Sequence, residues 1–173
     1  MNALKMTVYT ALFVALIALG AFIAIPIGPV PIVLQNMFVL LAGLLLGPRW
    51  GTACVGVYLL IGLAGLPVFA GGTSGVGKLF GPTGGYLLGY IPAVFATGLV
   101  SKLLRGGYIA NIIALVIGSA IVYACGVTGL KYALSMSWDK AMAVGMYPFL
   151  IGDALKIAVA TLATPKIRPL MKG

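Results

Sequence analysis

The chain has 173 residues, 62% hydrophobic and 8% charged, with a mean hydropathy of +1.17. Soluble domains carry about 25% charged residues, so this chain lacks the polar surface to coat a water-soluble globule and reads as an all-α integral membrane protein. The net charge of +9 does not mark a nucleic-acid binder, because the bases stand singly at the ends of apolar runs, and a chain with no histidine and two distant acids, Asp139 and Asp153, has no His-based catalysis and no evident transition-metal site.

A membrane-crossing helix needs about 20 apolar residues, or as few as about 17. Six candidate spans follow in order. The first covers 7–25; it is long enough to span and has no clear small-residue cleavage site, so no cleavable leader is expected. Ala11 and Ala15 form a small-x-x-x-small pair on it, with Ala18 continuing the face; such a face serves packing within the bundle or docking to another membrane subunit. The span stops at Pro26-Ile27-Gly28-Pro29-Val30-Pro31, whose prolines cannot continue a helix.

Spans 32–46 and 50–64 are short and separated by Gly47-Pro48-Arg49, which predicts an antiparallel hairpin. Gln35 and Asn36, at the start of the first arm, suit either a ligand or loop backbone. The next segment, 65–83, is apolar, glycine-dense and almost uncharged. Irregular backbone at membrane depth persists where it is buried in protein or lines a cavity, so a re-entrant or pocket-lining loop between helices 3 and 4 is expected. Within it, Gly72 to Leu79 nearly matches a phosphate-binding loop. The match fails at Leu79, which stands where a hydroxyl should hold magnesium, and no strand precedes it; any ATP hydrolysis belongs to a separate subunit.

Span 84–104 opens with Tyr86 and Tyr90, read as interfacial aromatics or, for Tyr86, as a neighbour of the glycine loop. Trp50, Tyr108 and Trp138 read as interface anchors, and Cys54 and Cys125 as buried free thiols. Spans 108–130 and 143–164 complete the set, forming a single domain over 1–173. With six spans, Lys5, Arg49, Lys102, Arg105, Lys166, Arg168 and Lys172 share one side, and Lys78, Lys131 and Lys140 the other. Seven bases against three place both termini in the cytoplasm.

The last span holds Asp153 and Lys156, three residues apart on one helical face. A charge near the bilayer centre costs roughly 2.5–3.5 kcal/mol on insertion scales, so the pair faces the bundle interior. It can be a structural ion pair, a proton relay or a grip on a polar ligand. A small channel lined by the pair is an alternative; an intramembrane enzyme is disfavoured, since few nucleophile–base pairs exist.

Pro31-Ile32-Val33-Leu34-Gln35-Asn36, Leu46-Gly47-Pro48-Arg49, Gly65-Leu66-Pro67-Val68-Phe69-Ala70-Gly71-Gly72, Gly81-Pro82-Thr83-Gly84-Gly85-Tyr86-Leu87 and Asp153-Ala154-Leu155-Lys156 together resemble the BioY family, the biotin-specific substrate-binding (S) components of energy-coupling-factor (ECF) transporters. The resemblance implies a six-helix bundle in the cell membrane that captures biotin from outside, without a cofactor and without being an enzyme itself. It implies work with a transmembrane coupling subunit and two cytoplasmic ATPase subunits, or alone or as a homo-oligomer; an S component for another vitamin is the nearest rival. Ala11 and Ala15 match the family's docking face for the coupling subunit. Thr73 stands where some members carry an asparagine ligand contact. On this footing Asp153 is expected to accept from a ureido N–H and Lys156 to donate to the ureido oxygen or the carboxylate. Thr73, Ser74 and the backbone at Gly71 and Gly72 would bond the remaining polar atoms, Tyr86 and Phe69 would pack on the ring, and the Pro26–Pro31 connector would cover the outer mouth.

Overall fold

A computed structural model describes residues 3–172; the side chain of Lys172, counted above among the inner bases, lies outside the described residues. The first helix, α1 (Ala3–Phe22), ends three residues earlier than the apolar run suggests. The residue before a proline is pushed out of the helical region, and Ala24–Ile25 ahead of Pro26 become strand β1. It pairs antiparallel with β2 (Ile32–Val33), Ala24 facing Val33 and Ile25 facing Ile32. The connector is thus a small hairpin, and the second span begins at Gln35 rather than Ile32.

Helix α2 (Gln35–Leu63) contains one non-helical residue, Gly47 (φ 78°, ψ 179°), followed by Pro48. Glycine reaches that backbone conformation without a steric cost, and proline suits the first position of the arm that follows. The chain reverses there. Gln35 Nε2 donates to Tyr58 Oη at 2.9 Å, although 23 residues of straight helix would hold them about 35 Å apart. The expected hairpin of arms 35–46 and 48–63 is therefore present.

A long loop carrying the single-turn α3 (Gly77–Phe80) leads to α4 (Gly84–Leu103) and α5 (Tyr108–Ala133). The last expected span, 143–164, is divided differently. The chain forms α6 (Trp138–Gly145), a 3₁₀ turn at Tyr147–Phe149 and α7 (Leu150–Lys172). Pro148 supplies no N–H to carry α6 onward, whereas Pro165 and Pro169 each remove one donor without ending α7, as membrane helices tolerate. Among the described residues, five helical runs are long and apolar enough to cross a membrane: Ala3–Phe22, Gln35–Leu63, Gly84–Leu103, Tyr108–Ala133 and Trp138–Met171.

Across the middle of α7 the large apolar side chains face outward and the charged pair inward. On α7, Asp153, Lys156, Ala160 and Thr164 form a buried stripe, while Ile151 is 80% and Leu155 66% exposed. Water would penalise that arrangement and lipid favours it. Arm 39–46 is buried on every side and forms the centre of the bundle. Without a hydrophobic drive between helices in lipid, close packing needs small residues. Gly85 and Gly129 meet where α4 crosses α5, and a Cβ on Gly98 would stand 2.6 Å from Pro48 N and 2.9 Å from Gly43 O.

Those last contacts are with backbone and cannot yield by rotating a side chain. Gly98→Ala is expected to destabilise the protein by about 1–3 kcal/mol, whereas Gly56→Ala, with open space around it, should not destabilise it. Thermal unfolding of both variants in detergent micelles checks the contrast.

Candidate functional site

Three structures close a cavity of about 630 Å³ at the end of the bundle where the β-hairpin and the long loop meet. Pro29, Val30 and Pro31 of the connector form one wall. Phe69, Ala70, Thr73, Ser74 and Lys78 of the loop form another. The helices supply Asn36, Tyr86, Tyr90, Ser119, Tyr123, Phe149, Asp153 and Lys156. The size falls in the range of about 300–1,000 Å³ typical of small-molecule sites.

Position along each element explains these placements. The loop is hung from α1 by Gly71 N–H donating to Ala21 O at 3.3 Å and from the second arm of α2 by Gly75 N–H donating to Gly62 O at 2.8 Å. Gly62 has no side chain, which makes room for the ring of Phe69. That ring meets Tyr58 edge-on, centroids 5.7 Å apart. Tyr58 Oη, which accepts from Gln35, donates to Val68 O at 2.9 Å. Gln35 thus borders the cavity but also ties both arms of α2 to the loop.

At the floor lies the charged pair. Asp153 is 6% and Lys156 9% exposed. Lys156 Nζ donates to Val33 O at 2.7 Å, Asp153 Oδ1 at 2.8 Å and Asn36 Oδ1 at 3.0 Å. An ammonium has three hydrogens, and all three are used. Asn36 Nδ2 donates to Asp153 Oδ1 at 3.0 Å, and Tyr123 Oη donates to Asp153 Oδ2. A carboxylate offers about four acceptor sites and an amide two donors. Asp153 Oδ2 therefore keeps one open acceptor site, and Asn36 keeps one N–H.

These bonds alter several expectations. Lys156 borders the cavity, but its hydrogens already hold Asn36, Asp153 and β2 in place; the expected donation from Lys156 to a ligand has no free hydrogen in this arrangement. Thr73 Oγ1 donates to Ala70 O at 3.0 Å and retains only acceptor capacity, whereas the neighbouring Ser74 hydroxyl has no partner among the described residues. Tyr86 faces the cavity with its ring, and its hydroxyl donates to Gly145 O at 2.6 Å. Gly71 and Gly72 are not among the lining residues. Both have left-handed backbone (φ 70° and 71°), and they bend the loop, with Phe22 against Gly72.

Ala11 and Ala15 lie on the exposed face of α1, opposite buried Met6, Thr10, Phe13 and Ile17. Packing within the bundle is thus not their role. Lys131, read as an outer base, stacks over Tyr132 and Trp138 at 4.5 and 5.1 Å from the ring centroids. Cys54 is buried and Cys125 partly so, both as free thiols.

Lys78 and Tyr123 are site residues that sequence reasoning did not single out. Lys78 read as an outer loop base, yet it lines the cavity and has no carboxylate partner among the described residues. Tyr123 lies within an apolar span, where a phenol needs a hydrogen-bond partner; that requirement was the available signal.

The model of the BioY family matches residues 1–173. The biotin transporter BioY of Thermotoga maritima is 40% identical over 96% of this chain and 98% of its own length. The probable biotin transporter BioY of Pyrococcus horikoshii is 39% identical over 91% and 93%. A crystal structure of the S-component for biotin from an ECF-type ABC transporter superposes with a TM-score of 0.91 at 32% identity, covering 98% of this chain and 95% of that one. The likeness runs through every element that builds the cavity, and the chain belongs to the BioY family.

Proposed function

We propose that this protein captures biotin in the cavity between the β-hairpin and the glycine-rich loop and passes it inward as the specificity subunit of an ECF transporter. One observation carries the reading: Asp153 Oδ2 has an open acceptor site beside an Asn36 N–H that has no partner. A ureido group presents an N–H next to a carbonyl oxygen. It donates to Asp153 and accepts from Asn36, and Lys156 keeps both side chains in position. The flat apolar bicycle packs among Phe69, Tyr86 and Tyr90. The carboxylate tail extends toward Lys78, with Ser74 as a further donor. The relatives named as biotin transporters and the S-component of matching fold support the same ligand.

The two arms of α2 count as separate crossings in this reading, giving six with both termini in the cytoplasm. The hairpin at Gly47 supports that count, and so does the distribution of bases, since Arg49, Lys102, Arg105, Lys166 and Arg168 share the end opposite the cavity. The cavity then opens outward. The exposed Ala11–Ala15 face serves as the docking surface for a transmembrane coupling subunit, which connects this chain to two ATPase subunits.

Removing one partner of a buried charge pair costs about 3–5 kcal/mol, which, lost from binding, is roughly two to four decades of affinity. Labelled biotin should therefore bind purified Asp153→Asn and Lys156→Met at least about a hundred-fold more weakly. Parent-like affinity in both would end the proposal; other vitamins should not displace the label.

Lys78→Met separates the two ends of the ligand. Biotin should bind it about tenfold less tightly, the loss of one charge-assisted hydrogen bond, while biotin methyl ester binds parent and variant alike. An equal loss for acid and ester would remove Lys78 from the carboxylate role.

Ala11→Trp and Ala15→Trp are expected to leave biotin binding intact and to abolish ATP-driven uptake in cells that supply the coupling and ATPase subunits. Unimpaired uptake would move the docking surface elsewhere.

A further inference from the structure

At the end of the bundle opposite the cavity, α4 turns into α5 through Arg105, Gly106 and Gly107, with φ of 60°, 70° and 109°. Helix α5 is 26 residues long, and no side chain caps its start. The first N–H groups of a helix have no partner within it and carry partial positive charge. Two cavities flank this point. One, of about 380 Å³, is bordered by Gly107, Tyr108, Asn111 and Arg168. The other, of about 370 Å³, is bordered by Lys102, Arg105 and the same Arg168.

A relay of hydrogen bonds orients the groups between them. Arg168 Nη2 donates to Leu44 O at 3.0 Å and to Ser101 Oγ at 3.4 Å. The Ser101 hydroxyl donates in turn to Asn111 Oδ1 at 3.2 Å. That fixes the amide with Nδ2 as its remaining donor. Asn111 is 1% exposed, and its Nδ2 has no acceptor among the described residues. An unmade bond of this kind costs about 1–3 kcal/mol, which a bound acceptor would recover. Acidic side chains are absent from both cavities: Asp139 lies in the first turn of α6 and Asp153 in the biotin cavity.

We propose that this end of the bundle is a phosphate-binding site, formed by the start of α5, Asn111 and Arg168, with Lys102 and Arg105 at its rim. Uncapped helix N–H groups and a guanidinium suit phosphate oxygens. The phosphate can come from an anionic phospholipid, since basic pockets between membrane helices hold lipid headgroups, or from solution.

Native mass spectrometry of the delipidated protein, titrated with dioleoylphosphatidylglycerol or dioleoylphosphatidylcholine, tests the lipid source. Calorimetric titration with inorganic phosphate tests the soluble one. The parent should hold one phosphatidylglycerol in preference to phosphatidylcholine, or bind inorganic phosphate. The double variant Lys102→Gln/Arg105→Gln, altered only at exposed positions, and Arg168→Gln should each lose about tenfold in that affinity, the loss of one charge-assisted hydrogen bond. The double variant keeps its biotin affinity and thermal midpoint. Inorganic phosphate binding that the double variant weakens supports the site and assigns a soluble source. Equal retention of both lipids by parent and double variant, with no heat from phosphate, overturns the proposal.

Discussion

An ammonium ion buried in a membrane protein is costly unless oxygens accept its hydrogens. Lys156 finds Val33 O, Asn36 Oδ1 and Asp153 Oδ1. Those acceptors come from a β-strand, the first turn of α2 and the preceding turn of α7. One side chain therefore joins the connector, the central hairpin and the last helix at a single point. Its charge also offsets that of Asp153, so α7 carries two ions into the bundle at little net charge. Opposite charge alone would not suffice: buried pairs repay their desolvation only when their remaining bonding capacity is satisfied. Asn36 and Tyr123 meet that condition on the acid except for one Oδ2 site, and Val33 O and Asn36 Oδ1 meet it on the base. The cavity floor is rigid because nearly every donor and acceptor in it is already engaged.

Much of this was legible in the sequence because the signals are local. Gly47-Pro48 between two short apolar runs announced the α2 hairpin through backbone sterics alone. Asp153 and Lys156 announced an inward face because lipid tolerates neither. The glycine-rich loop, uncharged but for Lys78, announced a cavity wall. The strands at 24–25 and 32–33 were hidden inside runs whose hydropathy continues unbroken. The division at 146–149 was hidden in the same way, since a proline inside an apolar segment stops one membrane helix and is absorbed by another. Least legible was the commitment of Lys156 to Val33 O. It joins residues 123 apart through a backbone carbonyl, and no residue type encodes that partner.

The cavity residues divide by the bonding capacity they still have to offer. Thr73 and Lys156 have polar groups that the sequence reading assigns to a ligand, Gln35 one that it leaves open, and Tyr86 a hydroxyl it leaves unassigned; the hydrogen bonds these groups donate go to the protein. These bonds hold the loop, the hairpin and the floor at fixed distances. Capacity remains at Asp153 Oδ2, one Asn36 N–H, the Lys78 ammonium, the hydroxyls of Ser74, Thr83, Tyr90 and Ser119, and the acceptor side of Thr73. Selectivity in the proposed function rests on this remainder. Apolar contact discriminates weakly, about 1–3 kcal/mol per methylene. A buried acceptor left open does more, because a ligand that fills the space without an N–H leaves one Oδ2 site of Asp153 desolvated and unfilled. The fastened residues make that penalty effective: Asn36, Lys156 and Tyr123 prevent the carboxylate from turning to find another donor, so a ligand of the right shape and the wrong edge gains nothing by fitting.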